Sequence, residues 1–292
     1  MSMLELSSDE YHADPCDTPS LSSTIARVLI NRTPAHAKAA HPRLSDVPLD
    51  PKTSDAMDMG TAVHQLLLRD DRVDTHDYPD YRTKNAREWR DEVRSRGRIP
   101  MLDHQWERAN SVANAIREQM RGLDEPTPFT HGTAEQTITW QDTGGAWCRA
   151  RLDWLHNDMT LIDDLKVTSK SADPVVWQKQ IWSMGYDMQA AFYVRGLTEY
   201  VWEMSPLPTP PRFRWVVAES SPPYCVSVVE LSDQDMQAAN FAVDGAIDLW
   251  NRCMASGEWP GYKTEPHIAV KPGWAARDDA WSAVDVDEAV PF

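Results

Sequence analysis

No apolar run in this chain reaches the roughly 18 residues that a membrane-crossing helix needs, and its first residues lack the basic-then-apolar order of a secretory signal. Both absences point to a cytoplasmic chain without membrane attachment. Cysteine is scarce: Cys16, Cys148, Cys225 and Cys253 lie far apart with no C-x-x-C pair, which excludes a zinc knuckle or a disulfide framework. No Walker A phosphate loop occurs in these residues, so they give no support to a helicase-coupled nuclease. No internal repeat is present. Basic residues are outnumbered, 29 Lys and Arg against 45 Asp and Glu, for a net charge of −16. Chains that grip nucleic acid through charge alone are not built that way. The 292 residues, 41% of them hydrophobic, are enough for one large core and one or two domains.

Periodicity predicts one α/β domain. Helices are expected near 20–30, 55–69, 85–95 and 103–121, the last from the spacing of Trp106, Val112 and Ile116. Strands follow near 133–141, 146–155 and 160–167. Asp173-Pro174 supplies a cap and a first-turn proline, Gly185 breaks that helix, and the next runs toward Trp202. The proline-rich segment Met204 to Arg212 is a turn or linker before two more strands, RFRWVVAES and YCVSVVEL. Ser232 with Asp235 forms a capping box for a long helix to about Ala255. The chain divides into an N-terminal helical lead (1–50), a central domain (51–270) and an acidic tail (271–292) whose composition suggests disorder.

The most informative stretch is RLDWLHNDMTLIDDLK, Arg151 to Lys166, which reads as a β-hairpin. With His156 to Met159 as the loop, Leu155 pairs with Thr160, and Asp153 stands opposite Ile162. Asp153, Asp164 and Lys166 then share one face. Diagonal neighbours on a ladder lie roughly 7–8 Å apart, within reach of one cation. Cys148, Ala150, Leu152 and Trp154 form a core face that Leu161, Leu165 and Val167 continue, leaving Asp163 as the misfit. A one-residue slip would place Asp163 in the site but turn those three apolar residues outward, so Asp164 is the expected second acid. Two carboxylates and a lysine on one face suit metal-assisted phosphodiester hydrolysis, although polar residues on a solvated hairpin would read the same way.

Two helices supply company. In DAMDMGTAVHQLLLRD, with Ser54 or Asp55 as N-cap, Gly60 and His64 share a face, where the glycine permits close approach and the histidine presents an imidazole. In GYDMQAAFYVRGL, Gln189 and Tyr193 are one turn apart. Together with EYHADP (Glu10 to Pro15) and NRTPAHAKAAHP (Asn31 to Pro42), these elements, in this order, resemble the PD-(D/E)xK nuclease superfamily. Within it the pattern is similar to the RecE-like exonucleases, the exonuclease VIII type of phage recombination systems. Two positions depart from the pattern: Asp163 stands where an apolar residue is usual, and Val167 where threonine commonly follows the lysine.

The resemblance implies that His64, Asp153 and Asp164, with the Leu165 carbonyl, ligate Mg²⁺ or Mn²⁺, while Lys166 positions the attacking water and offsets charge. It implies an α/β restriction-endonuclease-like core, a mixed central sheet flanked by helices, and that Gln189 and Tyr193 hold the site or the DNA end. Glu135, in the strand AEQTITW, reads either as a carboxylate behind the ligands or as a plain surface residue. Related nucleases of the AddB and CRISPR-adaptation types carry an iron–sulfur cluster, but here only Cys225 and Cys253 follow the Gln-x-x-x-Tyr helix, so no cluster is expected.

Between Arg82 and Arg98 seven basic residues face three acidic ones, and Arg82, Lys84, Arg87, Arg90 and Arg94 are candidates to follow the DNA backbone. The alternative is a solvated helix face of linked charges. The resemblance implies a ring-shaped oligomer threading duplex DNA, a 5′ to 3′ exonuclease acting on double-strand ends, and a RecT-like single-strand annealing partner. The closing DVDEAVPF looks like the acidic tip of single-strand-binding proteins, so Asp285, Asp287, Glu288, Pro291 and Phe292 are candidates to recruit a recombination factor. Two other readings stay open: a catalytically idle end-binding scaffold, and a RecB-type repair nuclease or endonuclease.

Overall fold

A computed structural model describes residues 1–47, 55–68, 72–123, 126–204 and 209–270. The expected domain boundary at 50/51, the cap candidate Ser54, residues 205–208 of the proline-rich linker and the tail with Pro291 and Phe292 lie outside what is described, whereas Asp55, the other cap candidate, is the first residue of the helix. The chain forms two units, Met1–Gly261 and Tyr262–Phe292. In the second, residues 262–270 carry no helix or strand.

The first unit runs β1 (Ser2–Leu4), α1 (Ser8–His12), β2 (Leu21–Ser22), α2 (Ser23–Asn31), α3 (Pro34–Ala40), α4 (Asp55–Leu68), β3 (Val73–His76), α5 (Lys84–Ser95), β4 (Ile99–Leu102) and α6 (Asp103–Gln119). It continues with β5 (Gly132–Gln141), β6 (Trp147–His156), β7 (Leu161–Thr168), α7 (Pro174–Met184), α8 (Tyr186–Met204), β8 (Arg212–Glu219), β9 (Val226–Glu230) and α9 (Asp233–Ser256). The caps follow the sequence signals. Asp173 accepts from the Val175 and Val176 amides ahead of Pro174, Gly185 ends α7 at φ 66°, and the Ser232 hydroxyl accepts from the Asp235 amide at the start of α9.

The main sheet has the order β1-β5-β6-β7-β8-β9, with β2 pairing to β6. All neighbours are antiparallel except β7–β8 and β2–β6. The parallel pair β7–β8 is joined through α7 and α8, as a crossover requires. Because β1 and β2 belong to this sheet, residues of the N-terminal lead are part of the same unit as the strands. A separate pair, β3–β4, is parallel.

Both faces are covered, so the sheet has two cores. On one lie Leu29, Trp177, Phe192, Leu197 and Trp250 from α2, α7, α8 and α9, against Trp140, Leu152, Ile162 and Trp215. On the other lie Val63, Met101, Val112 and Ile116 from α4, β4 and α6, against Trp154, Leu165 and Val216. Gly196 lets α8 approach so closely that any Cβ there would collide with the Trp140 ring.

Two expectations about the hairpin need correction. Its register is Leu155 with Ile162 and Trp154 with Asp163, two residues from the expected pairing. An even shift keeps every side chain on its own face, which is why the choice of Asp164 is unaffected. The second correction concerns alternation. Cys148, Ala150, Leu152 and Leu155 lie in the first core, whereas Trp154 and Leu165 lie in the second, with Val167 packed against it. The period-two pattern of β6 therefore changes phase between Leu152 and Trp154. β5 changes phase beside it, Ala134 facing the second core and Ile138 the first, around Glu135 at φ 57°. A left-handed residue other than glycine costs about 1–3 kcal/mol, and such residues gather at functional sites. Asp153 sits at this change of phase.

Candidate active site

Past Trp154 the β6–β7 ladder stops, and the two strands fork. On the same edge of β6, β2 takes up pairing again only at Cys148 and Arg149. Asp153 fills the fork. Its Oδ2 accepts from the Leu165 amide at 2.9 Å and faces His64 Nε2 at 3.0 Å. His64 comes from α4, and its Nδ1 lies 2.8 Å from the Gly60 carbonyl one turn earlier. A carbonyl at that distance accepts a hydrogen bond from Nδ1–H and turns Nε2 toward the carboxylate, which is how a ligating imidazole is oriented. Burial opposes charge on His64, but the Asp153 charge and hydrogen bond with the Gly60 carbonyl outweigh it, and its pKa is raised to about 9. Asp153 is likewise pushed up by burial and pulled down further by His64 and Lys166, ending below the usual carboxylate range.

Asp164 and Lys166 project from β7 toward α8. Asp164 is 1% exposed; its Oδ1 accepts from the Gln189 side-chain amide at 2.8 Å, and its Oδ2 contacts Lys166 Nζ. Burial, reinforced by Asp153 and resisted by Lys166, raises Asp164 to about 6. Lys166 also stands 4.7 Å over the Tyr186 ring, a cation–π contact. Tyr193, one turn beyond Gln189, is buried with its ring edge-on to Phe213 at 6.1 Å, and burial holds its hydroxyl proton firmly.

His64, Asp153, Asp164, Lys166, Gln189 and Tyr193 thus meet at the fork. Tyr186 was not expected there, although its place three residues before Gln189, on the same helix face, was a usable signal. Glu135 ion-pairs with Arg151 on β6, two residues from Asp153. Asp163 is no misfit. It is fully buried on the opposite side of β7, where it pairs with buried Arg214 of β8, meets His156 Nε2 at 2.8 Å and accepts from the Phe129 amide at 3.1 Å. Another buried network explains the segments around EYHADP and His41. Asp14 accepts from the Ser20 amide at 2.9 Å and lies 3.4 Å from His41 Nε2 and 3.2 Å from Arg149.

The basic candidates gather instead on α5, which rests on β4, and at Arg82 just before it. Arg82 pairs with Asp80, Lys84 with Glu88 and Arg90 with Asp91, while Arg87 is exposed and Arg94 partly so. Beside the fork a cleft of about 910 Å³ is bordered by Leu68 of α4, Trp154, Glu135 and residues 129–134.

The donors fit a hard divalent cation. Both carboxylates face the fork, and Asp164, raised to about 6 by burial and by the neighbouring Asp153, has only the Lys166 ammonium against its Oδ2. In an extended strand the N–H and C=O of one residue face the same neighbour, so the Leu165 carbonyl is turned toward the fork with its amide. Among the described residues no three His, Cys, Asp or Glu side chains close around one point, because Lys166 lies on Asp164 and His64 on Asp153.

The model of one protein family, a PDDEXK-like domain of unknown function (DUF3799), matches residues 22–267. The chain belongs to this family. PDDEXK-like nucleases generally use divalent metal ions, and family and fold together mark the chain as a nuclease-type hydrolase. A crystal structure from Eubacterium rectale, named "Putative exonuclease", has a similar fold at a TM-score of 0.59 and 14% identity, with 92% of this chain and 96% of that one covered. No curated protein matches this PDDEXK-like chain by sequence. No helix among the described residues is long and apolar enough to cross a membrane.

Proposed function

We propose that the chain is a Mg²⁺-dependent exodeoxyribonuclease that digests linear double-stranded DNA from its 5′ ends and leaves 3′ overhangs for strand annealing. The observation that carries this reading is the convergence of His64, Asp153, Asp164 and Lys166, from α4, β6 and β7, in a half-buried fork. His64 Nε2, the two carboxylates and the Leu165 carbonyl would hold the ion, a donor set rich in oxygen, as Mg²⁺ or Mn²⁺ prefers. The bound ion supplies Lewis-acid polarisation of the phosphodiester and a water of lowered pKa. Lys166 positions the attacking water and offsets charge that develops on the phosphoryl oxygens. Gln189 holds Asp164 in place, and Tyr186 confines the Lys166 ammonium. An idle scaffold has no use for such a set, since gathering two carboxylates, an imidazole and an ammonium at one partly buried point carries a desolvation cost.

The partners in this reading are a RecT-like annealing protein, sister subunits in a ring around duplex DNA, and a recombination factor bound by the tail at Pro291 and Phe292. The DNA backbone would run past Arg82, Lys84, Arg87, Arg90 and Arg94 on its way to the fork.

The test is a linear duplex labelled separately at its 5′ and 3′ ends, incubated with Mg²⁺ beside a closed circle. The 5′ label is released first from the linear form, the circle persists, and Lys166→Ala yields no product. A circle cut as fast as the linear duplex overturns the exonuclease assignment, and undiminished cleavage by Lys166→Ala overturns the site.

A further inference from the structure

Away from the fork, β3, the segment after it and α5 carry an aromatic cluster that belongs to neither core. His76 and Tyr78 stack at 3.7 Å with planes 3° apart. Trp89 meets them edge-on at 5.2 and 6.2 Å and lies nearly parallel to Tyr81, 12° apart at 6.5 Å. All four rings are partly exposed, and the Arg90 guanidinium stands 5.4 Å over Tyr81.

The cations of the chain concentrate around this cluster: the segment from Arg82 to Arg98 holds seven of its 29 Lys and Arg. Their partners are acids on the same surface. Arg82 pairs with Asp80, Lys84 with Glu88, Arg90 with Asp91, and Arg96 with Asp74. Surface pairs of this kind are worth about 0–1 kcal/mol, so a phosphate can take the cation at little cost. Aromatic faces interleaved with arginines suit a ligand that alternates flat rings with anions. Duplex DNA offers the anions but keeps its rings stacked inside; an unpaired strand offers both.

We propose that His76, Tyr78, Tyr81 and Trp89, with the cations of α5, form a stacking platform for unpaired DNA. Bases lie on the rings while Arg87 and Arg90 hold the backbone. The platform hangs on the layer that supplies the imidazole, since β3 follows α4 within a few residues and α6 packs against both. That the bound strand is the one left unpaired by digestion rests on the exonuclease reading; affinity for unpaired DNA does not.

The test is the anisotropy of a fluorescein-labelled oligothymidylate titrated with the full chain in EDTA, where cleavage plays no part. Tyr81→Ala and Trp89→Ala each weaken binding roughly tenfold, the usual scale for one lost base–aromatic stack. Tyr81→Phe and Trp89→Phe keep a π-face and most of the affinity. Trp182→Ala, at an exposed position on α7, changes nothing. Folded alanine variants that bind as well as the parent, or that lose duplex and single-strand binding equally, overturn the proposal. Should the alanine variants fail to fold, photocrosslinking of an iodouracil-substituted strand to the parent chain decides: crosslinked peptides fall within 76–94, and their absence there overturns it. Each outcome is independent of whether Lys166→Ala abolishes cleavage.

Discussion

Asp153 Oδ2 accepts the Leu165 amide at 2.9 Å, in the place where the β6–β7 ladder would have put a main-chain carbonyl. One side chain therefore caps the fork and presents the carboxylate beside His64. Asp153→Asn keeps an oxygen for the Leu165 amide but loses the charge; the expected outcome is a normal melting curve with no cleavage and no calorimetric Mg²⁺ binding. Asp153→Ala strands the amide as well and should cost about 1–3 kcal/mol, the usual penalty for a buried donor left unpaired. Equal stability of the two variants in urea would show that the cap carries no weight.

Gln189 donates to Asp164 Oδ1 at 2.8 Å from one turn of α8. Gln189→Glu replaces that donor with a second carboxylate and should raise Asp164 further, so activity falls by tenfold or more, on the scale of about 1.4 kcal/mol per tenfold. Gln189→Ala should cost less. Cleavage rates of the two on one linear duplex rank them, and the reverse order would mean that Gln189 acts by contact with DNA instead.

Asp163 and Arg214 are buried as a pair on the far side of β7. Removing one partner strands the other, which costs about 3–5 kcal/mol. Arg214→Met should therefore lower the urea midpoint strongly. His64, Asp153 and Asp164 are untouched by the change, and whatever fraction remains folded should cleave at the parental rate per folded molecule.

Stability should fall in acid through Asp14. Burial pushes this carboxyl up, but hydrogen bonds from His41 and Ser20 and the Arg149 charge together leave it below its ordinary value of 3.8. A group lowered in the folded state contributes stability that is present above the unfolded value and lost as pH falls through the folded one. The parent should therefore lose stability below about pH 4 more steeply than Asp14→Asn, which starts less stable but has no proton to gain there. Parallel urea curves at descending pH read the two slopes.

Much of the fork was legible because strand phase survives errors of register. The pairing came out two residues from the expected one, and a shift of two returns each side chain to its own face, so Asp164 and Lys166 stayed together. Long helices announced themselves by caps and breakers, as Asp173-Pro174, Gly185 and Ser232 do. The short strands β1, β2, β3 and β4 gave no such signal: two to four residues are too few for a period to show, and VDTH of β3 has no apolar alternation. The phase change at Glu135 and Asp153 was equally hidden, because nothing in the residue types marks a non-glycine as left-handed.

What the sequence determined alone was chemistry and spacing: which acids, which lysine and which imidazole exist, and which lie one turn or two strand positions apart. These follow from local periods of 3.6 and 2. Only the tertiary structure decided that His64 turns to Asp153 across 89 residues and that Gln189 holds Asp164. It also decided that Asp163 is satisfied by Arg214 rather than exposed. Those are choices among distant partners, made by how two cores close on opposite faces of one sheet, and no local pattern encodes them.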